Sequence, residues 1–557
     1  MKKILLLGIN ARYSHSNLAL LYLKRSIEDL DFNIHIAEFT ISEVSEGTDK
    51  IFSTISSIKP DILAISVYIW NTLYIKSILK SIKSTFSEIK IVLGGPEVSY
   101  NSNDWIEEFN EIDYIIAGEG EAAFRQIALD EFNDSKKIIS KPNPHFSLIK
   151  FPYSDSDIKS IGNRYIYYES SRGCPFKCTY CLSSVNSKNV EFREIEQVIE
   201  ELDFFSFYDL TLIKFVDRVF NLKKDHYMII WNEILKKFKG RYTSFHFEIF
   251  PDLLDDNDID FLSKVPPGLF RFEIGIQSTK AKTLNEINRK AAWSVAMENI
   301  KRVCGLKNIH IHTDIIAGLP HEDFIDFSKS FNNVFSIGVE HFQAGFLKIL
   351  PGTMMMEKVS EYEIKYNPSP PYEIIENRWI NCNDMLKLKL IGELVDLIHN
   401  SGHFLETENF MVSLYKTPFD FYNRMSEIFK KHENAKHRVW EYQAEILISM
   451  LSTDYPDLIL ELKDYLRWDW CTVTKLNSYP NILRSEILFK TKKIGIQFFR
   501  KFSKKGIIHY GDYVFTQNEL KRSIFFSTES DEFLKHKMKD LMAMFLPDKR
   551  IIYFNNE

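Results

Sequence analysis

Over residues 1–135, short apolar runs alternate with stretches whose apolar positions recur at helical spacing. The runs are residues 4–8, 32–39, 62–67, 89–93 and 114–117, and residues 18–30 form the clearest periodic stretch. This rhythm predicts a doubly wound parallel sheet. Ligands of such sheets bind beyond the carboxyl ends of the strands. The expected site-forming loops are therefore Asn10-Ala-Arg-Tyr-Ser-His-Ser-Asn17, Ser66-Val-Tyr-Ile-Trp-Asn71, Gly94-Gly-Pro-Glu97 and Gly118-Glu-Gly-Glu121. Glycines there let backbone approach a ligand closely.

A polar stretch at 136–163, carrying Pro142, Pro144 and Pro152, reads as a linker. The strand and helix alternation then resumes, with strands expected at 165–170, 210–215, 243–248, 269–274, 309–314 and 340–347. That suits a partial (β/α)6 barrel over 164–355, whose chemistry belongs at the carboxyl ends of its strands. Asp217, Glu248, Glu273, Gln277 and Asp314 stand at those ends. Each taken alone also reads as a cap or a solvent-facing side chain. Residues 356–557 show helical periodicity, clearest at Leu388, Ile391, Leu394, Val395 and Ile398, and predict a mostly α-helical domain. In it, Trp468-Asp-Trp-Cys471 and Phe419-Asp-Phe-Tyr422 read first as core, and the basic segment 490–505 as a solvated face.

Composition is that of a globular protein, 45% hydrophobic and 26% charged, and a chain of 557 residues holds several domains. A net charge of -6 gives no whole-chain attraction to nucleic acid, and no membrane span is visible. The opening Met1-Lys-Lys-Ile-Leu-Leu-Leu-Gly8 has too short an apolar run for a signal peptide and reads as a first strand. Six cysteines, half of them clustered, argue against a disulfide framework and for a reducing, cytoplasmic compartment.

The clustered three, Cys174, Cys178 and Cys181, lie in Ser171-Arg-Gly-Cys-Pro-Phe-Lys-Cys-Thr-Tyr-Cys-Leu182. Three thiolates on one loop hold three corners of a cubane iron-sulfur cluster and leave the fourth iron open. A structural zinc site is the alternative, but it closes with a fourth Cys or His, and the next candidates, His226 and Cys304, are far along the chain.

The Cys-x3-Cys-x-aromatic-Cys loop, with Tyr180 as the aromatic, resembles the signature of the radical S-adenosylmethionine (SAM) superfamily. The resemblance implies a [4Fe-4S] cluster on the three cysteines, SAM chelated at the open iron, and its reductive cleavage to a 5′-deoxyadenosyl radical. It also implies site residues: Asp217 toward the SAM amino group, where the family usually has Gly-Gly-Glu; Glu273 and Gln277 beside the ribose; Asp314 on the adenine side; and Arg289 at the carboxylate. Glu248 joins them at the barrel mouth.

The upstream order Gly-Gly-Pro then Gly-Glu-Gly-Glu resembles the cobalamin-binding domain of B12-dependent radical SAM proteins. Asn10, Ser14, Ser66, Tyr68, Gly94, Gly95, Glu119 and Gly120 are then the expected cobalamin neighbours. The chain lacks the Asp-x-His-x-x-Gly pattern that supplies an axial histidine in many B12 domains, and His15 is not assigned to cobalt. The implied architecture is a flavodoxin-like (Rossmann-type) cobalamin-binding domain at 1–135, a linker, a radical SAM core, and an uncharacterised carboxyl-terminal domain found on some B12-binding radical SAM proteins. With no cysteine before Cys174, the second cluster of methylthiotransferases has no ligands.

The expected function is methyl transfer from methylcobalamin to an unactivated carbon of a small-molecule or peptide substrate, with flavodoxin or ferredoxin as reductant. The alternatives are a cyclase or rearrangement enzyme using the same cofactors, and a cobalamin- or redox-sensing binding protein.

Overall fold

In a computed structural model, residues 1–185, 189–289, 292–430, 439–530 and 542–554 are described. The chain divides into two compact units. The first comprises Met1–Phe327, Ile337–Val339 and Gly345–Cys382; the second comprises Ser328–Ser336, Glu340–Ala344 and Asn383–Glu557.

The first unit opens with a sheet of β1 (Lys2–Asn10), β2 (Phe32–Thr40), β3 (Ile62–Ser66), β4 (Lys90–Gly94), β5 (Tyr114–Ile116) and β6 (Ile138–Ile139). Its order is β2-β1-β3-β4-β5-β6, parallel throughout. Strand alternation sends Leu5, Leu7 and Ile9 into one apolar layer and Ile4 and Leu6 into the other. Both faces being covered, the strands read as continuous apolar runs. The helix after β1, Leu18–Ser26, packs on one face and the helix after β3, Thr72–Thr85, on the other. A crevice therefore opens where β1 and β3 adjoin, at the switch point of the strand order.

The stretch expected as linker is ordered. It supplies β6, a buried Phe146, and the helix Asp155–Ile161, which Ser154 and Asp157 cap reciprocally. Two apolar residues in a polar surrounding leave too short a pattern to read as a strand.

The second sheet runs β14-β13-β12-β11-β10-β7, from β7 (Ile166–Tyr168), β10 (Leu212–Phe215), β11 (Ser244–Glu248), β12 (Phe270–Gln277), β13 (His310–Ala317) and β14 (His341–Phe346). A short ribbon of β8 (Ser171–Arg172) and β9 (Glu191–Phe192) lies beside it. On the helix-covered face, Phe215, Phe245, Phe247, Phe270 and Phe272 are fully buried, and Trp231 stacks on Phe272 at 5.8 Å. The alternate positions Lys214, His246, Glu248, Glu273 and Asp314 are polar and only half-buried. The barrel therefore turns a charged interior toward its mouth.

The second unit has the expected helices, among them Leu405–Ser413, Pro418–Phe429, Trp440–Asp454, Ile459–Val473 and Glu486–Arg500. Phe419, Tyr422, Trp468 and Cys471 are buried, as core reading required. Glu486–Arg500 buries Leu488, Thr491, Gly495 and Phe499 and leaves Lys490 and Lys493 exposed. Two three-stranded antiparallel sheets, absent from the helical expectation, complete the unit between Ser503 and Phe554. Their strands have two to four residues, too few for a period-2 pattern to declare itself.

Candidate active site

The cysteine loop leaves the ribbon at Gly173, whose φ of +107° and a would-be Cβ 2.9 Å from the Asn189 carbonyl oxygen exclude any side chain. Main-chain bonds then tie the loop down. The Thr179 amide donates to the Ile287 carbonyl (3.0 Å) and its carbonyl accepts from the Met355 amide (2.8 Å). Asn288 Nδ2 donates to the Lys177 carbonyl (2.8 Å), and Phe176 stacks on Phe250 with ring centroids 4.4 Å apart. Ser184 Oγ donates to the Cys178 and Cys181 carbonyls. Cys178 is buried and Cys174 and Cys181 are half-buried.

Burial pushes the Cys174 and Cys178 thiols up, and the three sulfurs add to this by mutual repulsion. Among the described residues no three His, Cys, Asp or Glu side chains gather around one metal ion. A cubane takes each thiolate at a different iron. The donor set, three mutually influencing thiols on one braced loop, fits such a cluster.

Beside Cys178 lies Arg289, which bonds to its thiol and donates through Nη2 to the Gly275 carbonyl. Among the described residues its buried Nε has no partner. Gln277 ends β12 across a bulge with a φ of +70°, a strained conformation for a non-glycine residue. A Cβ on Gly275 would stand 2.3 Å from Gln277 Nε2, so the Gln277 amide folds back over the space that a side chain there would take. Gln277 bonds Asp314, and its buried Oε1 is unpartnered. Burial, with Glu273 adding repulsion, pushes Asp314 to about 7. Glu273 accepts from His246 Nε2 (2.9 Å) and Lys214 Nζ (3.1 Å), and the histidine bond first of all holds it low. Arg218 pairs with Glu248 at 3.0 Å, while burial raises Glu248. Burial likewise raises Tyr180.

Asp217, expected toward the SAM amino group, follows the carboxyl end of β10. It is 1% exposed and accepts from the Ser170 amide (3.1 Å), Ser170 Oγ (2.6 Å) and Ser171 Oγ (2.7 Å). Burial pushes it to about 6 despite these donors. Its carboxylate braces the exit from β7, with Oδ1 taken by both serine hydroxyls and Oδ2 by the Ser170 amide.

The crevice of the first sheet opens into a cavity of about 690 Å³. Asn10, Ser66, Tyr68, Gly94, Gly95, Glu119 and Gly120 line it. Ser14 does not; its carbonyl accepts from the Tyr165 amide, and the neighbouring His15 and Ser16 face the cavity instead. Gly95, with φ +109°, would place a Cβ 2.5 Å from the Val67 carbonyl oxygen. At Gly94 a Cβ meets nothing closer than 3.8 Å, so its absence opens space rather than relieving a clash. Tyr68 and Trp70 stack at 4.5 Å and 6°. Asn17 donates to Ser66 Oγ (2.9 Å) and leaves a buried Oδ1 without a partner. A large, mostly apolar chamber with an orphaned amide oxygen fits a ring ligand fringed with amide donors, as cobalamin is.

The opposite wall is formed by Glu169, Arg172, Val216 and Arg218, which flank the cysteine loop. Arg172 lies in Ser-Arg-Gly-Cys, and Val216 and Arg218 flank Asp217 in sequence, which are the signals that point to them. His15, whose pKa burial lowers, bonds to Tyr167 Oη at 2.5 Å and completes the floor.

Three family models match in succession: a B12 binding domain at residues 4–128, the radical SAM superfamily at 168–350, and a protein family of unknown function (DUF4080) at 360–526. The chain is 24% identical over 371 residues to the cobalamin-dependent radical SAM methyltransferase TokK of Streptomyces tokunonensis, covering 60% of this chain and 53% of TokK. It is 24% identical over 358 residues to a 2-(S-pantetheinyl)-carbapenam-3-carboxylate methyltransferase of Streptantibioticus cattleyicolor, covering 56% and 51%. The chain thus spans about half the length of these two relatives.

Among solved structures, the cobalamin-dependent SAM radical enzyme OxsB superposes with a TM-score of 0.58 at 14% identity, over 84% of each chain. The radical SAM methyltransferase TsrM of Kitasatospora setae does so with 0.56 at 16% identity, over 67% of this chain and 80% of TsrM. The radical SAM domain brings with it a [4Fe-4S] cluster and SAM, and the B12 domain brings cobalamin. No described helix is long and apolar enough to cross a membrane. This chain is a B12-binding radical SAM protein with a carboxyl-terminal domain of the DUF4080 family.

Proposed function

We propose that the protein is a cobalamin-dependent radical SAM methyltransferase acting on an unactivated carbon. The observation that carries this reading is the single cavity bounded on one side by the crevice loops of the first sheet and on the other by residues flanking the cysteine loop. When bound, the cluster supplies the electron that cleaves SAM to a 5′-deoxyadenosyl radical, and cobalamin carries the methyl group that a second SAM replaces.

Cys174, Cys178 and Cys181 hold the cluster. Arg289, fixed beside Cys178, offers its guanidinium to the SAM carboxylate, a bidentate task that Arg performs better than Lys. Gln277 and Asp314, already bonded to each other, meet the polar edges of the nucleoside, and the ionised Glu273 stays available to its hydroxyls. Glu248 and Arg218 border the same mouth. Asp217 holds the loop in place rather than binding SAM. Asn10, Asn17, Ser66, Tyr68, the Gly94–Gly95 turn, Glu119 and Gly120 surround cobalamin. A flavodoxin or ferredoxin supplies electrons in a cytoplasmic setting.

The test uses the full chain, purified anaerobically, reconstituted with iron and sulfide, and given SAM, hydroxocobalamin and a strong reductant. Both 5′-deoxyadenosine and S-adenosylhomocysteine are expected, with 5′-deoxyadenosine abolished in Cys178→Ala. Release of 5′-deoxyadenosine without any S-adenosylhomocysteine overturns methyl transfer in favour of cyclisation or rearrangement. Absence of both from protein with an intact cluster favours the sensing role.

A further inference from the structure

Arg172 follows directly from Ser171 and lies two residues before Cys174, and its side chain reaches back to the first domain. Nη1 pairs with Glu121 at 2.9 Å and Glu119 at 3.6 Å, and Nη2 donates to Glu169 at 2.7 Å. The guanidinium also lies 4.7 Å from the ring centroid of Phe146 and 5.3 Å from that of Tyr22. Glu119 and Glu121 belong to the Gly-Glu-Gly-Glu loop after β5, while Glu169 ends the run from β7. One cation thus joins the loop that borders the cavity to the strap that launches the cysteines.

The two ends of this tie are themselves rigid. Arg172 is held in the ribbon by pairing with Glu191, whose carboxylate accepts from the Phe146 amide at 2.7 Å. Glu121 accepts from Asn143 Nδ2 at 2.6 Å, and Asn143 Oδ1 accepts from the Ala122 amide at 2.8 Å. A guanidinium fork between fixed carboxylates sets distance and angle together, which a single-point cation does not. A folding anchor would need only one such pair, whereas here three carboxylates from two separate segments share one cation at the cavity wall.

Resting on the methyltransferase reading, we propose that Arg172 is a positioning residue that fixes the cysteine loop against the Gly118–Glu121 loop and so sets the cluster at its working separation from cobalamin. It acts through the carboxylates that it joins at the cavity wall.

The experiment compares full-length wild type, Arg172→Gln, Arg172→Lys and Glu121→Gln, each reconstituted anaerobically and given hydroxocobalamin, SAM and titanium(III) citrate. Titanium(III) reduces the cobalamin, the SAM methyl passes to it, and S-adenosylhomocysteine leaves; cluster-driven cleavage gives 5′-deoxyadenosine separately. The expected result for Arg172→Gln is full iron content, hydroxocobalamin binding weakened about tenfold by absorbance titration, and an S-adenosylhomocysteine to 5′-deoxyadenosine ratio lowered at least tenfold. Arg172→Lys is expected to recover part of both, and Glu121→Gln to reproduce a milder form. Pulsed electron paramagnetic resonance between the reduced cluster and cob(II)alamin should broaden in Arg172→Gln. An unchanged ratio and an unchanged dipolar signal in folded, cobalamin-loaded Arg172→Gln would overturn the proposal. If Arg172→Gln does not fold, Glu121→Gln decides by the same two readouts. Absence of both products in wild type would fail the methyltransferase reading instead, and the dipolar signal would still judge Arg172.

Discussion

Asp217 in the first unit and Asp469 in the second are 1% and 2% exposed, and burial pushes both to about 6. Both are also spoken for: Asp217 by Ser170 and Ser171, Asp469 by the amides of Glu406 (3.2 Å) and Thr407 (2.8 Å) at the start of a helix. The contrast lies one step further out. Near Asp469 the buried Arg467 closes on Asp464 (2.9 Å), Glu529 (3.0 Å) and the Leu483 carbonyl (2.9 Å), a network that satisfies itself. Beyond Asp217 stand three thiols, an unpartnered Gln277 Oε1 and an unpartnered Arg289 Nε. Among the described residues of the second unit, buried atoms such as Asn423 Oδ1 and Tyr442 Oη also go unpaired, but none is a guanidinium nitrogen. A buried charge by itself therefore marks structure; unfilled bonding capacity gathered beside reactive groups marks a site.

The largest effect that separates the two regions is on cysteine. Cys174→Ala or Cys181→Ala should remove the cluster's visible absorbance and lower 5′-deoxyadenosine release by more than about a hundredfold, since chemistry borne by a cofactor leaves with it. Cys471, buried 3.0 Å from Tyr479 Oη, is equally hidden. Cys471→Ala should leave iron content unchanged and lower stability by about 1 kcal/mol. Loss of iron from that variant would break the division between the regions.

Arginine gives the next effect. Arg289→Lys should raise the apparent KM for SAM roughly tenfold in the 5′-deoxyadenosine assay, because a lone ammonium cannot grip a carboxylate with two parallel bonds. Arg467→Lys should leave that KM alone and cost about 3 kcal/mol of stability, since part of a buried ion network loses its partner. A shifted KM in Arg467→Lys would mean that the second unit shapes the SAM site.

What could be read in advance follows the same line. The parallel strands were legible because burial on both faces leaves uninterrupted apolar runs, as in Ile62–Ser66, and the cysteine loop because its ligands are neighbours in sequence. The acidic and amide groups at strand ends were legible as a set, since the barrel brings every strand end to one mouth. The bracing bonds of Asp217 were not legible because its partners, Ser170 and Ser171, lie 47 and 46 residues away and give no periodic sign. The Arg172 tie was invisible for the same reason: it joins residues of two segments about fifty positions apart, and each alone looks like a surface charge. The small sheets near the carboxyl terminus have strands too short to carry a pattern.

The smallest effect concerns Asp469 and tests how a satisfied buried carboxylate behaves. Its folded value of about 6 exceeds the ordinary 3.8, so the folded chain binds more protons over that interval, and stability falls as pH rises through it and levels off above. Two pKa units correspond to about 3 kcal/mol. The helix Leu405–Ser413 begins at the carboxylate, and its N-terminus favours the charged form, offsetting part of this and leaving about 1–2 kcal/mol. Hydrogen exchange of that helix in the full chain, corrected for intrinsic rates, should show protection declining between about pH 4 and 6 in wild type. In Asp469→Asn the slope should vanish and protection be lower throughout, because the new NH2 group faces an amide hydrogen it cannot accept. A flat wild-type profile would mean that the two amides and the helix end together keep Asp469 ionised, and that its burial is compensated more fully than that of Asp217.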